Sequence, residues 1–226
     1  LSRHQRVLSK SRINDACALI IDHGRGEVLA YVGNAAYLDG ARDKSAWLDL
    51  IQCRRSTGSI LKPFLYASMF QEGELTPSQL VEDIPTFIRG FTPQNFSLSY
   101  MGAVPAKEAL TGSLNIPAVR LLQRYGLQRF YDRLKEMGMN TLHREADGYG
   151  LTLILGGAEG SLWNMAELYG RLAQSALGNR PAQGVSPLKG KPGSMAGPQF
   201  PIHCGAAWLT LDIMTEVARP GLEGFW

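Results

Sequence analysis

Two short apolar runs, rich in β-branched residues, open the pattern of hydrophobic positions along the chain. They span residues 16–22 and 27–33, and residues 23–26 between them read His-Gly-Arg-Gly. Apolar runs of this length on either side of a glycine-containing turn are typical of a β-hairpin. The pattern therefore predicts two antiparallel strands early in the chain.

Later segments show apolar positions at helical spacing, bounded by residues that start or stop helices. The predicted helices span residues 59–72, 106–111, 116–125, 127–137, 162–177 and 203–218. Gly73 ends the first of them. Pro117 suits the first turn of the third, because a proline there loses no helical hydrogen bond.

The remaining segments are polar or rich in glycine and proline, and loops are predicted for residues 34–55, 74–104 and 178–201. Residues 1–13 are polar and basic and are predicted to be a linker from an upstream domain, with one domain over residues 14–226. Two strands followed by a mostly helical remainder indicate an α+β fold. A lone hairpin is marginally stable without further strands or helix cover, so we expect an incomplete sheet.

Composition places the chain among ordinary globular proteins. The 226 residues are 45% hydrophobic and 19% charged, which is enough apolar material for a sizeable core. The net charge of +3 is small, and no basic run or basic-aromatic stripe is present. A nucleic-acid partner is therefore not expected.

Cysteine and histidine residues lack the spacing of a metal site. Cys17, Cys53 and Cys204 are far apart and odd in number, and the four histidines are scattered. These positions indicate neither a disulfide framework nor a bound metal or cofactor. We find no signal peptide and no apolar stretch of about 18 residues, which fits either a cytosolic chain or part of a longer anchored protein.

Ser59 and Lys62 form a Ser-x-x-Lys motif at the start of the helix predicted for residues 59–72. One helical turn separates them, so we expect the hydroxyl and the amino group within or near hydrogen-bond reach on one face. Pro63 is tolerated only in a first turn, which predicts a helix start near Ser59. Gly58 permits a tight turn before the serine, whose backbone N–H could then serve as an oxyanion donor.

The bare motif is weak evidence, because a chain of this length contains about one copy by chance. A second copy does occur at residues 186–189, in glycine- and proline-rich sequence without helical periodicity. Nothing there is expected to hold a serine and a lysine on one face. For the first copy, the alternative is an N-capping Ser59 beside a solvated Lys62.

Ser113-Leu114-Asn115 is the one Ser-x-Asn in the sequence. Asn115 could instead be the N-cap of the helix that follows, with Ser113 in a loop. The order of the two motifs favours the catalytic interpretation. We expect Ser113 and Asn115 to project from a loop between two helices into the same cleft as Ser59.

Longer stretches around these motifs resemble the transpeptidase domain of the class A penicillin-binding proteins, above all their 1C branch. The similarity runs from about residue 14 to the end of the chain. The stretches that carry it are residues 55–66, 80–85, 92–96, 108–119 and 153–159. The resemblance implies the α+β fold of penicillin-binding proteins and serine β-lactamases.

The resemblance also implies a D,D-transpeptidase of peptidoglycan cross-linking, inhibited by β-lactam antibiotics and working without a cofactor. Ser59 would attack the penultimate D-Ala carbonyl of a stem peptide that ends in D-Ala-D-Ala. Lys62 would take the serine proton. Ser113 would relay a proton to the leaving amine, and Asn115 would bind the substrate amide. The implied location is the bacterial periplasm, attached to the inner membrane by an upstream segment.

Two parts of the family pattern are not found in this sequence. No Lys-Thr-Gly is present, and residues 191–193, Lys-Pro-Gly, do not replace it because proline lacks the strand N–H. That strand carries a second oxyanion donor and a clamp for the substrate carboxylate, so impaired acylation is expected. An upstream glycosyltransferase domain, implied by the class A resemblance, also lies outside this sequence.

Two other functions fit the same motifs. A serine β-lactamase needs a carboxylate that activates the deacylating water, and Glu136 with Asn140 has a suggestive spacing. Both residues, however, lie at a predicted helix end beside Gly138. A penicilloyl-binding sensor or a scaffold without turnover is the third possibility, which only chemistry separates from an enzyme.

Overall fold

The computed structural model describes residues 1–35, 47–88, 90–178 and 199–218, and these confirm an α+β architecture. Two short 3₁₀ segments, Ser9–Ser11 and Gly150–Leu155, accompany the helices. The helices are α1 (Ser2–Leu8), α2 (Lys62–Gln71), α3 (Ala106–Thr111), α4 (Asn115–Tyr125), α5 (Leu127–Met137), α6 (Ala146–Tyr149), α7 (Leu162–Ala176) and α8 (Cys204–Thr215).

The strands within the described ranges form three separate antiparallel pairs. The first is the predicted hairpin, in which a register shift lies between Ile20 and Ile21. The pairs are β1 (Ala18–Asp22) with β2 (Glu27–Val32), β3 (Arg55–Ser56) with β6 (Glu159–Gly160), and β4 (Leu80–Asp83) with β5 (Gly102–Pro105).

The helix predictions agree closely with the structure where periodicity was clear. The bounds of α3 and α5 are as predicted, and those of α4, α7 and α8 differ by one to three residues. The predicted helix start at Ser59 is wrong, because α2 begins at Lys62. Pro63 then occupies the first turn, where its missing N–H is harmless.

Three segments differ from their predicted structure. The loop predicted for residues 74–104 is wrong in part, because it contains β4 and most of β5, strands of only four residues each. Residues 146–155 form α6 and a 3₁₀ segment that periodicity did not indicate. Residues 2–8 are helical, while their assignment as a linker stays a prediction. Both the second Ser-x-x-Lys and residues 191–193 lie outside the described residues.

Helix α2 lies in the centre of the core and contacts α3, α4 and α8. Its residues from Lys62 to Met69 are all buried, as expected of a helix that is apolar around most of its circumference. Burial of a single side chain such as Phe64 or Leu65 contributes about 1.5–3 kcal/mol. The packing therefore holds the backbone at Lys62 in place.

None of the helices in the described ranges has the length and apolar character that a membrane span needs.

Candidate active site

The side chain of Lys62 joins the two predicted motifs. Its Nζ donates hydrogen bonds to the Ser113 carbonyl oxygen at 2.6 Å, to Asn115 Oδ1 at 2.7 Å and to Ser113 Oγ at 3.3 Å. An ammonium group has three N–H donors, so the second motif supplies an acceptor for each. The structure thus brings together three of the four predicted site residues.

Burial makes Lys62 a weaker base than an ordinary lysine. Only 1% of the residue is exposed. Desolvation of its ammonium lowers the pKa of Lys62 from 10.5 to about 8. At pH 7 a lysine with such a pKa is neutral in about one molecule in ten, against about 3 in 10,000 for an ordinary one. Lys62 is therefore able to accept a proton near neutral pH.

Ser59 lies in a turn of residues 56–60, which we call the serine turn, directly before α2. Lys62 N donates to the Ser59 carbonyl oxygen at 3.0 Å, and Ile60 N donates to that of Thr57 at 3.2 Å. These i to i+3 bonds define a tight, 3₁₀-like turn. Gly58 has a φ of +53°, which glycine adopts without steric cost, so the predicted role of Gly58 is confirmed.

The hydroxyl and the backbone N–H of Ser59 have no hydrogen-bond partner among the described residues. No side-chain hydrogen bond joins Ser59 to Lys62, because the donors of Lys62 are directed at Ser113 and Asn115. Ser59 is also partly exposed. Both of its polar groups are therefore available to an incoming ligand.

The segment around Gly156 supports the serine turn from one side. Ser56 Oγ donates to the Gly156 carbonyl oxygen at 2.7 Å, and Thr57 N donates to that of Ala158 at 3.0 Å. The pairing of β3 with β6 continues this contact. The backbone directly before Ser59 is thus hydrogen-bonded to a segment about 100 residues away in the sequence.

Gly156 is required by close packing as well as by backbone conformation. Its φ is +105°, and a Cβ at this position would lie 2.8 Å from Gly58 N, besides meeting the Ser56 hydroxyl. Real Cβ atoms do not approach a backbone atom so closely. From another side, Tyr169 OH donates to the Ile60 carbonyl oxygen at 2.8 Å. These contacts fix the position of the serine turn.

Ser113 lies two residues after the end of α3, in an unusual conformation for a serine. Its N–H donates to the Leu110 carbonyl oxygen at 3.0 Å, and Leu114 N donates to that of Ala109 at 3.0 Å. This pair of bonds is the Schellman motif, whose left-handed position is usually glycine. Ser113 occupies it with a φ of 51°, at a cost of about 1–2 kcal/mol. In return, both its carbonyl and its hydroxyl contact Lys62.

Asn115 is the first residue of α4, and the N-cap position belongs to Leu114. The alternative interpretation of Asn115 as a simple N-cap is therefore wrong. Its Nδ2 donates to the Gln94 carbonyl oxygen at 2.8 Å, which leaves Oδ1 directed at Lys62. Asn95 Oδ1 accepts from the Asn115 backbone N–H at 2.9 Å. The chain thus holds Asn115 at both its main chain and its side chain.

Sequence reasoning assigned no role to the residues that hold Asn115. Asn95 and its partner Asp83 lie in stretches that carry the family resemblance, yet no local pattern connects them to Asn115. The sequence signal that could have pointed to them was the family resemblance of residues 80–85 and 92–96. Such a resemblance marks a segment but does not show which residues the segment contacts.

The residues of the alternative β-lactamase reading lie elsewhere. Glu136 is exposed and forms an ion pair with Arg133, 3.2 Å between Oε2 and Nη1. Asn140 Oδ1 accepts from Asn164 Nδ2 at 3.3 Å. Neither is among the hydrogen-bond partners of Lys62, so no contact in the described part of the chain favours a water-activating role for Glu136.

The three cysteines are free thiols. Cys17 and Cys53 line a cavity of about 580 Å³ between the hairpin and the serine turn, together with Arg55 and Thr57. Within the part of the chain that the structure describes, no cluster of His, Cys, Asp and Glu residues could hold a metal ion.

Comparison with known proteins agrees with this geometry. A family model described as the penicillin-binding protein transpeptidase domain matches residues 16–190. The chain belongs to this family.

Among curated proteins, the chain is 34% identical to penicillin-binding protein 1C of Escherichia coli strain K12, over 89% of this chain and 25% of that protein. It is 26% identical to penicillin-binding protein 1A of Neisseria cinerea, over 95% of this chain and 28% of that protein. The predicted resemblance to the 1C branch is confirmed. The chain spans about a quarter of the length of these relatives.

Two solved structures show the same fold. The TP domain from Burkholderia pseudomallei penicillin-binding protein 3 matches 96% of this chain and 66% of its own, with a TM-score of 0.75 and 19% identity. A peptidoglycan glycosyltransferase from Burkholderia ambifaria matches 96% of this chain and 70% of its own, with a TM-score of 0.76 and 20% identity. The penicillin-binding protein transpeptidase fold predicted from the sequence is therefore confirmed.

Proposed function

We propose that this chain carries the acylation centre of a D,D-transpeptidase that cross-links peptidoglycan, and that β-lactams acylate the same centre. The substrate is a stem peptide that ends in D-Ala-D-Ala. The observation that carries the proposal is the set of three hydrogen bonds from Lys62 to Ser113 and Asn115, beside a serine whose hydroxyl is unpaired. Membership of the transpeptidase family supports the choice of reaction.

The first step is removal of the Ser59 proton. When Lys62 is neutral it has two N–H donors and one lone pair. The two short contacts, to the Ser113 carbonyl oxygen and to Asn115 Oδ1, keep the two donors. The third contact, to Ser113 Oγ at 3.3 Å, is the longest and weakest. In neutral Lys62 the lone pair of Nζ takes this third position, where it can accept a proton from a hydroxyl. Lys62 thus serves as the general base, with Ser113 as its neighbouring relay.

The second step is attack of Ser59 Oγ on the penultimate D-Ala carbonyl. The new C–O bond places negative charge on the carbonyl oxygen, and we assign the unpaired backbone N–H of Ser59 as a donor to it. When the bond to the terminal D-Ala breaks, the leaving amine takes a proton from Lys62 through the Ser113 hydroxyl. The products are an acyl-serine and free D-Ala.

The third step transfers the acyl group to the amine of a second stem peptide. That amine loses its proton through the same relay, and Ser59 is released with its hydroxyl restored. Asn115 Nδ2 binds the substrate amide in this scheme, which requires exchange of its present contact with the Gln94 carbonyl oxygen. A β-lactam ring amide takes the place of the D-Ala-D-Ala bond.

The cellular setting follows from the relatives. Class A penicillin-binding proteins suggest an upstream glycosyltransferase domain and an inner-membrane anchor, with this domain in the bacterial periplasm.

The test is intact-mass measurement after incubation with benzylpenicillin. One covalent adduct is expected on a form extended through a Lys-Thr-Gly strand and none on its Ser59→Ala variant, while the 226-residue chain should be labelled slowly or not at all. Ser186→Ala, which removes the serine of the second Ser-x-x-Lys, is the matched control and should be labelled like the wild type. Labelling that persists in Ser59→Ala would refute the proposed nucleophile.

A second measurement separates the three functions. A transpeptidase forms a cross-linked product from a D-Ala-D-Ala peptide and an added amine. A β-lactamase loses its penicilloyl label quickly, because water resolves the adduct. A sensor keeps the label and forms no peptide product.

A further inference from the structure

We propose that Asn95 is a positioning residue for acylation: its side chain caps helix α4 from outside the helix and thereby holds Asn115 and Ser113 against Lys62. This inference rests on the proposed function of the site. It concerns a side chain that lies about 20 positions before the motif it supports.

The start of α4 lacks a local cap. Leu114 occupies the N-cap position and offers no side-chain acceptor, although the first N–H groups of a helix need partners. Asn95 Oδ1 supplies them, accepting from Asn115 N at 2.9 Å and from Ile116 N at 3.3 Å. The first turn of α4, which carries Asn115, is therefore oriented by a residue from a different segment.

The other end of the Asn95 amide is held just as firmly. Its Nδ2 donates to Asp83 Oδ1 at 2.6 Å and to the Ser99 carbonyl oxygen at 3.0 Å. Asp83 is fully buried, and its second oxygen accepts from Met101 N at 2.9 Å. Asp83 ends β4 and Met101 directly precedes β5. The amide is thus tied to a hydrogen-bonded strand pair.

Every hydrogen-bonding capacity of the Asn95 side chain is used. A primary amide has two N–H donors and two acceptor lone pairs, and the four bonds above occupy all of them. A flipped amide would place N–H groups against the N–H groups of α4, so one orientation only is possible. With 3% of the residue exposed, water does not compete for these bonds.

A continuous set of contacts therefore connects the strand pair to the base. Asp83 holds Asn95, Asn95 holds the main chain of Asn115, and Asn115 Oδ1 accepts from Lys62. The neighbouring Gln94 carbonyl oxygen accepts from Asn115 Nδ2 as well. Residues 94 and 95 thus fix both the position of Asn115 and the direction of its side chain.

Loss of this amide should change the environment of Lys62. Without the cap, the first turn of α4 loosens and water enters beside the amino group. Water replaces the lost acceptors and also relieves desolvation, which is the cause of the low pKa of Lys62. The neutral fraction of the base at pH 7 should then fall.

The experiment compares Asn95→Ala and the milder Asn95→Ser, which leaves room for a bridging water, with the control Asn164→Ala. Asn164 belongs to a capping box at the start of α7, and its side chain forms hydrogen bonds with Ser161 and Asn140. All three substitutions leave the charge unchanged. The titration of Lys62 is followed through its ¹³Cε resonance, assigned by its absence in Lys62→Met. The rate of penicilloyl labelling is measured over the same pH range.

The Lys62 midpoint should rise by about one pH unit in Asn95→Ala, and labelling at pH 7 should slow about tenfold. Asn95→Ser should show a smaller change. Asn164→Ala should leave the Lys62 midpoint and the labelling rate unchanged, even where it lowers thermal stability as much as the Asn95 variants do. An unshifted midpoint in both Asn95 variants, or equal shifts in all three, would overturn the inference. If a form extended through a Lys-Thr-Gly strand is not labelled at all, the proposed function fails, while the titration still decides the role of Asn95.

Discussion

Lys62 Nζ lies 2.7 Å from Asn115 Oδ1, and this contact joins a buried lysine of α2 to the first residue of α4. The two residues are 53 positions apart in the sequence. Because α2 is packed on all sides and α4 is capped by Asn95, neither partner is free to move away. The lysine that should accept the serine proton is thus held by its environment before any substrate arrives.

The first prediction concerns the pH dependence of acylation. Proton acceptance requires neutral Lys62, whose pKa is lowered to about 8. The rate of penicilloyl labelling should therefore rise about tenfold per pH unit below pH 8 and level off above it. Stopped-time intact-mass measurements between pH 6 and pH 9.5 check this. Lys62→Arg is the control and should label at a negligible rate, since arginine keeps its proton. A flat profile would exclude Lys62 as the base.

The second prediction concerns stability. The folded state lowers the pKa of Lys62 below the unfolded value of 10.5, so the unfolded state binds more protons between pH 8 and pH 10.5. This lysine therefore destabilises the fold at neutral pH, and the penalty disappears as pH rises. Relative to Lys62→Met, the wild type should gain up to roughly 3 kcal/mol in free energy of unfolding across that window. Urea titrations of both proteins at several pH values measure it; a constant difference would contradict the lowered pKa.

The third prediction uses the strained backbone of Ser113. Ser113→Gly relieves the left-handed conformation and Ser113→Ala does not, while both remove Oγ. The glycine variant should be more stable than the alanine variant by about 1 kcal/mol. Both should label about 10²-fold or more slowly, since a proton relay contributes on this scale. Thermal unfolding and labelling rates are the measurements. Normal labelling of Ser113→Gly would show that the hydroxyl is dispensable.

The fourth prediction concerns the support of the serine turn. Gly156→Ala adds a Cβ 2.8 Å from Gly58 N at a φ of +105°. Displacement of the turn should lower stability by several kcal/mol and slow labelling of Ser59. Gly73→Ala is the matched control, because Gly73 has a φ of +70° with open space around its Cβ. It should cost about 1 kcal/mol and leave the labelling rate unchanged. Equal effects of the two variants would argue against packing at Gly156.

The fifth prediction concerns the third family motif. The sequence contains no Lys-Thr-Gly, and the proposed oxyanion donor is the Ser59 N–H, which has no partner among the described residues. A form of the protein that is extended through a Lys-Thr-Gly strand should label about 10²–10³ times faster than the 226-residue chain. Ser59→Ala in the extended form should abolish labelling. Equally fast labelling of the two forms would show that the strand is unnecessary.

Much of the helical structure followed from local patterns. Local sequence alone predicts helices α3 and α5 and the β1–β2 hairpin. Each has a short hydrophobic period and is bounded by residues that end helices or strands. Strands β4 and β5 escaped prediction, because four residues are too few to display a period. Each strand is stabilised by the other, and their paired residues lie 19 to 25 positions apart in the sequence.

The sequence by itself determined the candidate chemistry: a serine and a lysine three positions apart, a Ser-x-Asn after them, and longer stretches that identify the family. Only the tertiary structure decided how these groups are arranged. It buried Lys62, directed its donors at Ser113 and Asn115 instead of Ser59, and capped α4 with Asn95. Short-range periodicity arises from the geometry of a single helix or strand. Burial, pKa and capping depend on groups from distant segments, which meet only when the core has packed.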